Sequence, residues 1–154
     1  MAEHKILAVM QNQWFKDPDR MRAILARGLA KGLKRHDFIA RTLFMGCRTG
    51  LVLKQVFGVD LCRRIIWEEA SPEIGDFASA SFPADSVHLQ KILEDINPDV
   101  VLAFGRIATD GLAPLVPPEM LIIGPHPVAR GAATLPKLIS MKKCLLEVID
   151  NAKN

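Results

Sequence analysis

The sequence predicts an α/β fold, a three-layer α/β/α sandwich with a central, mostly parallel sheet of four to five strands, formed as one domain over residues 1–154. Three observations lead there. Helix-like and strand-like stretches alternate from end to end, the order that a crossover-connected parallel sheet requires. The strongest strand candidates are continuous apolar runs rather than alternating ones, as strands covered on both faces must be. A length of 154 residues also suits one core, because a chain of that size buries about two thirds of its unfolded surface.

Residues 5–10, Lys5-Ile6-Leu7-Ala8-Val9-Met10, are the first such run and read as a central strand. From Asp19 to Arg35, Met21, Ile24, Leu25, Leu29 and Leu33 recur at helical spacing, while Arg20, Arg22, Arg27, Lys31, Lys34 and Arg35 fill the other face of a basic amphipathic helix. Those charges read as a solvated face, with phosphate contact as the alternative. Residues 38–45 are a weaker strand candidate, and residues 51–57 a short helix closed by Gly58. A strand over 63–68 leads into a long loop, 69–83, of the kind that often carries function. Asp85 or Ser86 can cap the next helix, whose apolar stripe is Leu89, Ile92, Leu93 and Ile96. Asn97-Pro98 stops that helix before residues 99–105, the clearest strand in the chain. Residues 107–115 are helical as far as Pro117-Pro118, residues 120–124 give a last buried strand, and a final helix turns Leu135, Leu138, Ile139, Leu145, Leu146 and Ile149 inward.

Composition narrows the function classes. With 49% hydrophobic and 24% charged residues the chain is not a disordered tail, and no apolar run nears the roughly 18 residues of a membrane-spanning helix. The stretch from Ile6 to Met10 is too short for a signal-peptide core, so export is not expected. Cys47, Cys62 and Cys144 are widely spaced and form no CxxC pair, which argues against a disulfide framework and against a four-thiolate metal or iron–sulphur site. The expectation is a cytoplasmic monomer with reduced thiols, no membrane association, no metal and no cofactor. A net charge of +3 would help hold a polyanion without revealing one. Seven Phe, two Trp and no Tyr leave little for a long stacking platform on single strands.

Open α/β sheets bind ligands in the crevice at the carboxyl ends of their strands. Those positions hold Gln11-Asn12-Gln13-Trp14-Phe15 after the first strand and Phe44-Met45-Gly46 after the second. Glu68-Glu69 follows the third, Gly105-Arg106 the fourth and Gly124-Pro125-His126-Pro127 the last. No GxxxxGK(S/T) or GxGxxG occurs, so phosphate cradling of the nucleotide-enzyme kind has no support. His126 stands out because flanking prolines stiffen the backbone where a strand emerges into the crevice. His4, His36 and His88 read as structural or solvated.

Together, Gln11-Asn12 after the first strand, Phe44-x-Gly46 with Gly50 before a helix, residues 99–108 and His126-Pro127 resemble the uracil-DNA glycosylase superfamily. The segment from Phe44 to Leu51 looks like its Phe-Val-Gly-x-Ser-Gly-x-Leu stretch with one residue inserted. The segment from Pro98 to Ala108 is similar to its strand ending in Leu-Gly-Lys-x-Ala. The resemblance spans about residues 5–149.

The resemblance implies a DNA glycosylase that flips a base out of DNA and hydrolyses its N-glycosidic bond. Asn12 would position water at the sugar carbon, and His126 would stabilise negative charge on the departing base. Phe44 would stack on that base, with Gln11, Trp14 and Glu68 also lining its pocket, while Gly46, Arg130 and Lys137 would contact DNA. Arg130 or Leu135 could fill the vacated stack; equally, Thr134 could cap the last helix with Leu135 in the core. Preorganised hydrogen bonds to the leaving base suit this chemistry, and an amide at position 12 can orient water but not remove a proton, which predicts a slow enzyme. Met10, Gln13 and Val128 replace the Gly, Pro and Ser of the pattern, and its base-reading Asn falls near Trp67, Glu68 or Glu69. A carboxylate there repels a carbonyl edge and an anionic leaving group. The resemblance thus implies a divergent member without an iron–sulphur cluster, acting on uracil or another modified base. The alternative is a catalytically inactive DNA- or protein-binding module of the same fold, and a third reading is a flavodoxin-like domain binding a small nucleotide.

Overall fold

A computed structural model describes residues 3–76 and 82–151. Strand β1 (Ile6–Met10) is followed by the two-residue β2 (Gln13–Trp14) and four helices, α1 (Pro18–Ala30), α2 (Arg35–Phe44), α3 (Arg48–Phe57) and α4 (Val59–Arg64). Then come β3 (Ile65–Glu69), β4 (Ile74–Gly75), α5 (Ser86–Ile96), β5 (Val100–Phe104), α6 (Arg106–Leu112), a 3-10 turn (Pro118–Met120), β6 (Leu121–Gly124) and α7 (Thr134–Asn151). The main sheet has four strands in the order β3-β1-β5-β6, every pair parallel. A separate parallel pair, β2 with β4, is a feature that the sequence patterning does not signal.

The apolar runs at β1 and β5 become central strands because both faces of the sheet are covered there, whereas the edge strand β6 is only partly covered, with Ile123 57% exposed. Ile6, Ala8, Trp67, Leu102 and Phe104 face α2, α3 and α7, while Leu7, Val9, Val101 and Ala103 face α5 and α6. The chain builds β3 on one side of β1 and then crosses to place β5 and β6 on the other. The switch point of the sheet therefore lies between the carboxyl ends of β1 and β5.

Three expectations need correction. Residues 38–45 form most of helix α2, not a strand. Phe38, Ile39 and Leu43 are all buried, and a spacing of four to five residues puts them on one helix face, whereas a strand would have split them. The basic helix ends at Ala30, where Gly32 at φ +93° turns the chain, so Arg35 opens the next helix instead of closing this one. On α7 the inward face is Leu138, Met141, Leu145 and Ile149; Leu135 and Ile139 are each 54% exposed, and Leu146 is also exposed. Of the two proposed caps, Asp85 is the one used, its carboxylate accepting from the His88 N–H at 3.0 Å. Part of the expected long loop, residues 77–81, lies outside the described residues. Among the described residues no helix is long and apolar enough to cross a membrane.

Gly50 explains how α2 and α3 approach. A β-carbon there would sit 1.8 Å from the Leu43 carbonyl oxygen and 3.3 Å from the Phe44 Cα, so backbone meets backbone across the turn. Gly50→Ala must push the two helices apart. We expect a loss of about 2–3 kcal/mol, read as a lower urea midpoint with an unchanged slope.

Candidate active site

The crevice is assembled from the loops that leave the carboxyl ends of the parallel strands. Past β1 the ladder continues for two residues, the Ala70 N–H donating to the Met10 carbonyl at 2.8 Å and the Ser71 N–H to the Gln11 carbonyl at 3.2 Å. The β2–β4 pair then ties the same two loops together. Asn12 is thereby held between the ends of β1 and β3. Its Nδ2 donates to the Gln13 carbonyl at 3.0 Å, and its Oδ1 is buried without a partner.

On the other side of β1, strand β5 is followed by Gly105, whose φ of +92° suits a residue without a side chain. A β-carbon at Gly105 would stand 3.5 Å from the Cβ of His126. His126 thus leans from the end of β6 over the end of β5. Two strand spacings, about 10 Å, separate the axes of β1 and β6; Asn12 follows the first of these strands and His126 the second, and β5 with its Gly105 turn comes between them in strand order.

The ring of His126 is fixed by its own loop. Its Nδ1 accepts from the Val128 N–H at 3.3 Å, and its carbonyl accepts from the Ala129 N–H at 2.9 Å. Burial lowers its pKa, which favours the neutral ring. With Nδ1 occupied as an acceptor, the proton of a neutral ring sits on Nε2, which becomes a hydrogen-bond donor.

The end of β3 carries a second set of groups. Glu68 and Glu69 are both buried at 4% exposure. Glu68 Oε2 lies 3.6 Å from Arg35 Nε, an ion pair supplied by α2, and 3.9 Å from His88 Nε2 of α5. Burial pushes Glu68 up to about 6 against the pull of Arg35. Glu69 rises further, to about 8, through burial first and the Glu68 charge second. Its Oε2 has no partner. At neutral pH, Glu69 is therefore a carboxylic acid, able to donate as well as accept. Burial, with Arg35 beside it, lowers the pKa of His88.

The remaining expected site residues are dispersed. Gln11 is half-buried beside Asn12, and its carbonyl is taken by Ser71. Trp14 contributes its backbone to β2, and its side chain lies outside the described residues. Phe44 does not follow a strand: it ends α2 and lines a cavity with α4 and the start of β3, so it is not part of the crevice at the carboxyl ends. Gly46, exposed at φ +101°, forms the turn between α2 and α3, also away from that crevice. Arg130 is exposed on the loop after His126, next to Gly131 at φ +124°. Lys137 lines a cavity of about 480 Å³ with Arg106 and Pro125, beside the outer edge of β6. Thr134 does not act as a capping acceptor; its hydroxyl donates to the Ala129 carbonyl at 3.0 Å and ties the loop to α7. Neither this cavity nor the one at Phe44 is lined by Asn12 or His126.

The sequence pattern places Glu68-Glu69 at a strand end, but it shows neither the burial that holds Glu69 neutral nor Arg35 and His88 as their neighbours. Those two come from separate helices, and no local spacing announces them. Comparison of the chain with protein-family models, with curated proteins and with solved structures finds no match.

Proposed function

We propose that the protein is a DNA glycosylase that extrudes uracil or another modified base and hydrolyses its N-glycosidic bond. The observation that carries the reading is His126: a half-buried imidazole whose Nδ1 accepts from the Val128 N–H, leaving Nε2 as the donor, on a residue whose Cβ lies against the Gly105 turn at the carboxyl end of β5. Breaking a glycosidic bond builds negative charge on the departing base, and a preorganised neutral donor stabilises that charge without having to lose a proton of its own. Asn12, after β1, carries a buried Oδ1 without a partner, the acceptor that this reading assigns to the attacking water. The order of the strand ends supports the assignment, because the motifs that resemble the glycosylase pattern after β1, β5 and β6 fall at the same end of one parallel sheet.

Flipping a base out of the stack costs a few kcal/mol, and an amide at position 12 orients water without taking its proton; both make the enzyme slow. The test is release of free base from oligonucleotides carrying single modified bases. His126→Ala is expected to reduce release about 10²- to 10³-fold, the usual cost of one oxyanion-type donor, with folding and DNA retention unchanged. No release by the wild-type chain from a broad lesion panel, with salt-dependent DNA retention intact, removes the enzyme reading and leaves a binding module.

A further inference from the structure

The cavity at Phe44 belongs to neither Asn12 nor His126. It measures about 470 Å³ and lies between α2, α3, α4 and the start of β3, within the size range of small-ligand sites. Lys54, Arg63 and Arg64 line it, against a single carboxylate, Asp37. Among the described residues none of these three cations is ion-paired. Lys54 is fixed at the wall, its Nζ donating to the Phe44 carbonyl at 3.0 Å and lying 5.8 Å from the centre of the Phe44 ring. The other wall is apolar, with Ala40, Phe44 and the first residues of β3.

We propose that this cavity is a binding site for a mononucleotide-sized phosphate monoester carried on a flat ring. Two guanidinium forks and an ammonium offer more donors than a single carboxylate ligand can accept, and they match the dianionic oxygens of a phosphate. The excess of cations over Asp37 complements a charge near −2. A solvated basic face needs no concavity, and here the cations surround one whose inner wall is apolar and aromatic. The Cys62 thiol in that wall is pushed up to about 11 by burial, so it adds no negative charge to the cavity at neutral pH.

The experiment is calorimetric titration of the full chain with purine and pyrimidine 5′-mononucleotides, ribose 5-phosphate, the unphosphorylated nucleosides and inorganic phosphate. The mononucleotides are expected to bind below about 1 mM, with the nucleosides and the phosphates that lack a base at least about tenfold weaker. Arg63→Ala with Arg64→Ala, both exposed positions, should weaken binding about tenfold or more while circular dichroism stays unchanged. A 5′-phosphorylated oligonucleotide that competes through the same arginines identifies a strand end as the source, and competition by mononucleotides alone identifies the free nucleotide. Absence of binding at about 1 mM, equal binding of inorganic phosphate, or unchanged affinity in the double variant overturns the site. His126→Ala leaves this binding intact, so its outcome is independent of the glycosylase reading.

Discussion

Trp67→Ala is expected to cost about 3–5 kcal/mol of unfolding free energy, the range for removing a buried aromatic. The indole is 1% exposed. It meets Phe44 edge-on at 5.3 Å and Phe104 at 6.1 Å, and Phe104 in turn meets Phe57 at 5.9 Å. These four rings join α2, β3, β5 and α3 through one layer of the sandwich, so the loss is not confined to one strand. The Nε1–H also donates to the Cys62 carbonyl at 3.0 Å, and truncation leaves that buried oxygen unpaired. Trp67→Phe keeps most of the contact and gives up the hydrogen bond, and should cost less than half as much. Urea unfolding of the three proteins decides it: a loss below about 1 kcal/mol for the alanine variant means that the neighbouring rings close the gap, and that the aromatic layer is not what holds α2 to the sheet.

The parallel sheet is legible in the sequence because burial on both faces leaves a direct trace, apolar runs such as Ile6–Met10 and Val100–Phe104 with no alternation. Helix α2 is not, because Phe38, Ile39, Leu43 and Phe44 lie as adjacent pairs, and a short apolar stretch without alternation also suits a strand covered on both faces. That one ambiguity displaces part of the expected site: reading α2 as a strand puts Phe44 and Gly46 at a strand end and hence in the crevice. His126 is legible as a fixed group because Pro125 and Pro127 flank it. The tautomer is not, since it depends on the Val128 N–H reaching back to Nδ1. For Glu69, sequence gives a charge and burial removes it. The expected repulsion of an anionic leaving base assumes a carboxylate, and desolvation at β3 argues for the neutral acid.

That neutral acid makes the second large prediction, a pH dependence of stability that Glu69→Gln should abolish. Glu69 rises from an ordinary value of 4.5 to about 8 in the fold, chiefly by burial and then by the Glu68 charge. Between those values the folded chain keeps a proton that the unfolded chain gives up. The contribution is therefore full below pH 4.5 and is lost as pH rises through about 8. Glu68, raised to about 6, adds the same sign over the lower part of that window. His88 and His126 act oppositely: both are lowered by burial, so their contribution is present above pH 6.5 and is lost as pH falls through their lowered values. Wild-type stability should then fall between about pH 6.5 and about 8.5, while Glu69→Gln, which holds an uncharged group of the same shape, stays nearly level. At the alkaline end the variant should be the more stable by a few kcal/mol. Parallel melting curves across that range mean that Glu69 is solvated in the fold and ionised like an ordinary carboxylate. The same titration bears on the proposed chemistry, because an ionised Glu69 in the crevice opposes charge on a departing base. Base release by the wild type should decline above about pH 8, and Glu69→Gln should postpone that decline.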